Sequence, residues 1–230
     1  MMRYRLVLWD FDGTLADTLT CTIEAYNRAA GRHGFRRLED VSAARSLPPL
    51  VLLRSLGIPL LKLPSLVAEV LEDLRGRMAE VRLFPGIAEV LRDLHAAGRP
   101  MSILSSNARE NILTCLRANE VERFFESVVG YRRLFGKGRP LRRLLRARGV
   151  AGHEAVYIGD EVRDIEAARQ AGMGVVAVTW GYQARTLLEE RAPDHLIDRP
   201  DQVLSLPGCR PGGGAGGRPP ERPTQPCPGH

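Results

Sequence analysis

Four apolar residues, Leu6-Val-Leu-Trp9, run directly into Asp10-Phe-Asp12-Gly-Thr14 near the start of the chain. An apolar run this short, closed by acids and a glycine, predicts a strand buried on both faces. Such strands belong to parallel sheets whose two faces are covered by helices. Side chains alternate along a strand, so Asp10 and Asp12 share one side while Phe11 turns to the other. Two carboxylates held ~4–5 Å apart repel by roughly 3–4 kcal/mol at an effective dielectric near 20. A cation, or a proton on one acid, has to relieve that repulsion. The spacing therefore asks for a metal.

Further apolar runs predict strands at Met101–Leu104, Ser127–Gly130, Ala155–Ile158 and Val175–Val178, with a short edge strand at His195–Asp198. Helical patterns lie between them, at Ile87–Ala97, Asn107–Asn119, around Leu141–Leu145 and at Ile165–Ala171. Asn107 and Glu110 make a start resembling a capping box for the second of these. Strands alternating with helices imply an α/β fold with a doubly wound parallel sheet and its site in the crevice at the strands' carboxyl ends.

Between the first strand and Ile87 the pattern stays helical, with breaks at Pro48-Pro49, Pro59 and Pro64 and no convincing strand. Ile23, Tyr26, Asn27 and Ala30 would line one face of a helix from about Leu19 to Ala30, and Leu66, Val67, Val70, Leu71 and Leu74 form a second stripe. The expected organisation is a core of residues 1–17 and 84–206 interrupted by a small α-helical unit at 18–83. From Pro207 the chain is Gly, Pro and Arg with little to bury, so 207–230 is expected to be a disordered tail.

Three more segments carry chemistry. Ser105-Ser106-Asn107 ends the second strand, where free helix amides beside a hydroxyl make a seat for phosphate. Lys137 stands between Gly136 and Gly138 at a helix entrance. It is one of only two lysines, with Lys62, in a chain that otherwise uses arginine. A compact ammonium there would offset negative charge at the strand ends. Gly159-Asp160-Glu161-Val-Arg-Asp164 closes the fourth strand and enters a helix, where acids also suit the dipole.

Asp-x-Asp-Gly-Thr closing the first strand, with Gly-Asp-x-x-x-Asp closing a later one, resembles the haloacid dehalogenase superfamily, and in particular its phosphoglycolate phosphatase-like branch with a helical cap. The resemblance covers about Arg3 to Pro200. It implies that Asp10 is the nucleophile, that Asp12 is the general acid and base, and that Ser105 and Lys137 bind the transferring phosphoryl group with Ser106 and Asn107 as neighbours. It implies Mg²⁺ as cofactor, held by the carboxylates of Asp10 and Asp160 and the backbone carbonyl of Asp12. Asp164, and less directly Glu161, would support the metal through water or Lys137. The unit at 18–83 would be the cap that closes over the site and reads the substrate.

The implied activity is Mg-dependent hydrolysis of a small phosphate monoester, phosphoglycolate-like or a sugar phosphate, through an aspartyl phosphate. A phosphosugar mutase, a metal-free dehalogenase, and a phospho-aspartate switch or binding module without turnover stay open. So do the physiological substrate and the oligomeric state. The partner expected is a small phosphorylated metabolite. Net charge is +6, of which the tail contributes two, and arginines alternate with acids at helical spacing. That pattern is a solvated helix face and argues against nucleic acid. The N-terminal apolar run is too short for a signal peptide, and no later run reaches the ~20 residues of a membrane span, so a cytoplasmic protein is expected. Four scattered cysteines suggest neither zinc nor a disulfide framework.

Overall fold

The computed structural model describes residues 4–206 apart from 46, 48 and 132–135. The expected tail at 207–230 lies outside the described residues, as do Leu134 and Phe135 ahead of Lys137. The core is a sheet of six parallel strands, β1 (Leu6–Trp9), β2 (Met101–Ser105), β3 (Ser127–Gly130), β4 (Ala155–Gly159), β5 (Gly174–Val178) and β6 (His195–Ile197). Their order is β3-β2-β1-β4-β5-β6. The chain winds outward from β1 to β3, then crosses back to β4 and winds the other way. The doubly wound parallel sheet expected from the sequence is the fold observed, and β1 is its switch point.

Alternation along β1 explains the layers. Val7 and Trp9 join a cluster with Leu91 and Leu94 of α5 (Ile87–Ala96) and Ile112 and Leu116 of α6 (Arg109–Ala118). Leu6 and Leu8 join Leu141 and Leu145 of α7 (Gly138–Arg148) and Ile165 and Ala168 of α8 (Val162–Gln170) on the other face. All four residues of β1 are buried. Burying side chains of this size contributes about 1.5–3 kcal/mol each, which fixes the strand that carries Asp10.

The insertion is built of helices joined by loops. It comprises α1 (Leu19–His33), α2 (Val41–Arg45), α3 (Pro49–Ser55) and α4 (Leu63–Arg77). Tyr26, Ala29, Ala30, Leu56, Ile58 and Leu66 form a cluster separate from the two beside the sheet. Arg28 donates to Asp73 at 2.6 and 2.8 Å across α1 and α4. A last short helix, α9 (Arg185–Glu189), precedes β6.

Several details differ from the expectations. The buried face of α1 is Ala25, Tyr26, Ala29 and Ala30. Ile23 is only half-buried, while Asn27 bonds Leu38 through both backbone N–H and carbonyl. Leu71 is 47% exposed, because α4 packs on a single helix and needs a narrower stripe. The first strand, β3 and the absence of a strand among the described residues of the insertion agree with the sequence pattern. Helix α6 starts two residues later than Asn107, after an extended Ala108, and the capping box does not form. The Asn107 side chain is drawn elsewhere.

Candidate active site

The carboxyl ends of β1, β2 and β4 converge on three buried acids. Asp10 follows β1, and its own N–H continues the sheet by donating to Ile158 O at 2.8 Å. Its carboxylate accepts Phe11 N–H at Oδ1 (2.8 Å) and the Lys137 ammonium at Oδ2 (2.5 Å). Asp164, in the first turn of α8, takes the same ammonium at 2.6 Å and the Glu161 N–H at 3.1 Å. Asp160, at the end of β4, accepts the Thr14 hydroxyl at 2.8 Å and Tyr182 N–H at 2.6 Å. One carboxylate oxygen from each of Asp10, Asp160 and Asp164 lies within 4.8 Å of the others.

Close approach is possible because glycines stand where side chains would intrude. Gly13 has φ +74°, and a Cβ there, or on Gly181, would overlap the Asp160 carboxylate. The turn is held by Leu15 and Ala16 N–H groups that both donate to Phe11 O at 3.0 Å.

The electrostatics follow from burial. Lys137 is 4% exposed and Asp10 2%. Burial works against the Lys137 charge, but Asp10 and Asp164 outweigh it and push the pKa well up, so the ammonium stays charged. Burial, then the neighbouring acids Glu161, Asp164 and Asp10, push Asp160 well above the carboxylate range. Burial also lifts Asp164, against the pull of Lys137, to about 7. Like charges at this spacing repel by roughly 3 kcal/mol per pair at an effective dielectric near 20. Three buried acids thus share one ammonium among them.

Asp12 has different partners. Both its oxygens accept from Asn107 Nδ2, at 2.9 and 3.1 Å, and Oδ2 accepts the Ser105 hydroxyl at 3.3 Å. Burial and then Asp10 raise its pKa to about 6, against the opposing Asn107 and Thr18. Ser105 is fully buried at the end of β2 and accepts Asn107 N–H at 3.2 Å. Asn107 thus gives its Nδ2 to Asp12, while its Oδ1 accepts Ala108 N–H at 2.8 Å and Asn111 Nδ2 at 3.0 Å. Ser106 lies between Ser105 and Asn107, half-buried. Glu161 turns away to an ion pair with Arg163. Lys62, in the insertion, is exposed.

Sequence reasoning brought together Asp10, Asp12, Ser105, Lys137, Asp160 and Asp164, and the structure places them at one end of the sheet. It did not find what holds them. Thr14 was read as part of a motif and turns out to fix Asp160. Tyr182, on the loop after β5, reaches the same acid through its backbone N–H, and backbone donors leave no trace in a sequence. Asn107 carried a visible signal as a polar residue at a strand end, but the signal pointed to a cap.

The donor set fits a divalent cation. Its donors are carboxyl oxygens, they are buried and they outnumber the cation beside them, which suits a hard dication such as Mg²⁺. No helix among the described residues is long and apolar enough to cross a membrane.

Residues 7–178 match the family model described as haloacid dehalogenase-like hydrolase. A phosphoglycolate phosphatase from Synechococcus elongatus is 33% identical over 200 residues, covering 86% of this chain and 94% of that protein. The pyrophosphatase PpaX of Bacillus cereus is 24% identical, covering 89% of this chain and 97% of its own. Among solved structures, a haloacid dehalogenase-like family hydrolase from Streptococcus pneumoniae superposes with a TM-score of 0.77 at 22% identity, covering 89% of this chain and 99% of that one.

Proposed function

This chain belongs to the haloacid dehalogenase-like hydrolases and is a phosphatase of that family, and we propose that it hydrolyses a small, phosphoglycolate-like phosphate monoester with Mg²⁺ through a phosphorylated Asp10. The observation that carries this reading is the division of labour between two aspartates one residue apart. Asp10 is buried and charge-paired with Lys137, while Asp12 is held by hydrogen bonds from Asn107 and Ser105.

Asp10, Asp160 and Asp164, with the backbone carbonyl of Asp12, would hold Mg²⁺. When bound, the ion would supply positive charge at the phosphoryl oxygens. The Lys137 ammonium would face the same charge from the start of α7, and Ser105 Oγ would form the rest of the seat. In the first step an Asp10 oxygen forms the new bond to phosphorus as the bond to the alcohol oxygen breaks. Protonated Asp12 gives its proton to that oxygen, so the product leaves as a neutral alcohol. In the second step Asp12 takes a proton from water as the water oxygen attacks phosphorus and the Asp10–phosphorus bond breaks. Phosphate leaves and Asp12 is protonated again. The insertion at 18–83 acts as the cap that excludes water and selects the alcohol.

A screen of phosphate monoesters, with phosphoglycolate, a hexose phosphate and pyrophosphate among them, tests this directly. Phosphate release with Mg²⁺, its loss in EDTA and its abolition in Asp10→Asn are expected. Near-normal turnover by Asp10→Asn would rule out the nucleophile, and preferential release from pyrophosphate would move the substrate to the diphosphate class.

A further inference from the structure

The insertion joins the core through two short connections that run side by side. Asp17 N–H donates to Arg82 O at 2.9 Å, Phe84 N–H donates to Leu15 O at 3.0 Å, and Ala16 bridges Leu83. The loop after β5, residues 179–184, touches this neck at several points. On the outgoing connection, the Tyr182 hydroxyl lies 3.0 Å from the Thr18 hydroxyl and 3.1 Å from that of Thr22. On the returning connection, the Trp180 ring packs at 6.5 Å from Phe84, while its Nε1 donates to Thr14 O at 3.0 Å. Inside the insertion, the Arg45 guanidinium donates to Thr179 O at 2.9 Å, and Ala184 N–H donates to Arg45 O at 3.1 Å. The same loop reaches the acid cluster, because Tyr182 N–H holds Asp160.

We infer that Tyr182 is a positioning residue for the reaction, its hydroxyl locking the neck of the insertion while its backbone N–H holds Asp160, so that one residue sets the insertion against the acid cluster. This rests on the phosphatase reading above. The hydroxyl partners fix a direction. Thr22 spends its proton on Thr18 O at 2.7 Å, so toward Tyr182 the Thr22 oxygen acts as acceptor and the phenol as donor. A Phe side chain keeps the ring and the backbone N–H and removes only the tie to the neck. The phosphate seat of Ser105 and Lys137 does not touch this hydroxyl, so ground-state binding of phosphate should survive its loss. What suffers is the closed arrangement needed as the reaction proceeds.

The test is Tyr182→Phe, alone and with Thr22→Val, using phosphoglycolate and Mg²⁺. The expected result is a kcat about five- to tenfold lower with KM within twofold and a melting temperature within a few degrees. The double variant should be no worse than Tyr182→Phe, because the two hydroxyls act as one unit. Amide hydrogen exchange across residues 18–26 should be several-fold faster in Tyr182→Phe, and this readout needs no turnover. Wild-type kcat in Tyr182→Phe, or fully additive losses in the double variant, would overturn the inference. If the wild-type chain releases no phosphate from any monoester, the phosphatase reading fails by itself. Unchanged exchange at 18–26 would then sink the neck lock independently.

Discussion

Lys137 shows how much one side chain can be asked to do. Its ammonium pairs with both Asp10 and Asp164, and all three groups are shut away from water. Removing one partner of a buried charge network leaves the others desolvated and unpaired, which typically costs about 3–5 kcal/mol. Lys137→Ala is therefore expected to lower the urea midpoint in EDTA by that order, a larger loss than ordinary burial of an alkyl stem would give. Part of the loss should return on adding Mg²⁺, since a dication meets the same acids, whereas phosphatase turnover should stay at least a hundredfold down. An unchanged midpoint would mean that the acids are not charged in the native protein. Asn107 acts on a smaller scale. Asn107→Ala removes the two hydrogen bonds that Nδ2 donates to Asp12 and frees its carboxylate to turn. It should cut kcat tenfold or more in steady-state assays.

Elements differ in how they reveal themselves. Helix α2 is five residues long, with no pattern of its own, yet Arg45 at its end fastens the insertion to the loop after β5. Arg45→Ala deletes the guanidinium bond and keeps the backbone one. A loss of roughly 1 kcal/mol of local stability is expected, which limited proteolysis should register as about fivefold faster cutting within 18–83, with the core fragment surviving. Equal protease resistance would show that Arg45 is no fastening. That contact was invisible in the sequence, as was the role of residues 179–184, because both depend on groups brought together from distant parts of the chain. The strands were legible for the opposite reason. Each of β1, β2, β4 and β5 is an apolar run buried on both faces, and burial is written in the residue types themselves. The acids at their ends stood out because charge at the end of a buried run has no packing explanation. Boundaries slipped where a polar side chain had two possible partners. Asn107 gave its amide nitrogen to Asp12 and its oxygen to Ala108 and Asn111, and α8 began at Val162, so that Asp164 sits inside the first turn with Lys137.

Taken together, the fold concentrates like charge at one end of the sheet and leaves its compensation to something bound. That makes stability depend on pH and on metal in a linked way. Asp164 and Asp160 titrate above their unfolded values, so in EDTA the native state holds more protons than the unfolded chain from about pH 4 up to about 7. Stability conferred by those protons is present at low pH and is lost as pH rises through the folded pKa. Surface carboxylates such as Asp73, Glu122 and Asp198 are shifted downward by arginine and hydroxyl partners, and their contribution disappears only when pH falls below about 4. Between pH 5 and 8 the buried acids therefore set the slope. In EDTA the free energy of unfolding should fall by on the order of 2 kcal/mol from pH 5 to pH 7, measured by urea titration. A dication competes with those protons, so Mg²⁺ should flatten the slope. At a hundredfold excess over its Kd it should add about 2.7 kcal/mol near neutrality and much less at pH 5. Asp160→Asn should lose most of that increment. A Mg²⁺ increment that is the same at pH 5 and pH 8, or that persists in Asp160→Asn, would place the cation somewhere other than among Asp10, Asp160 and Asp164.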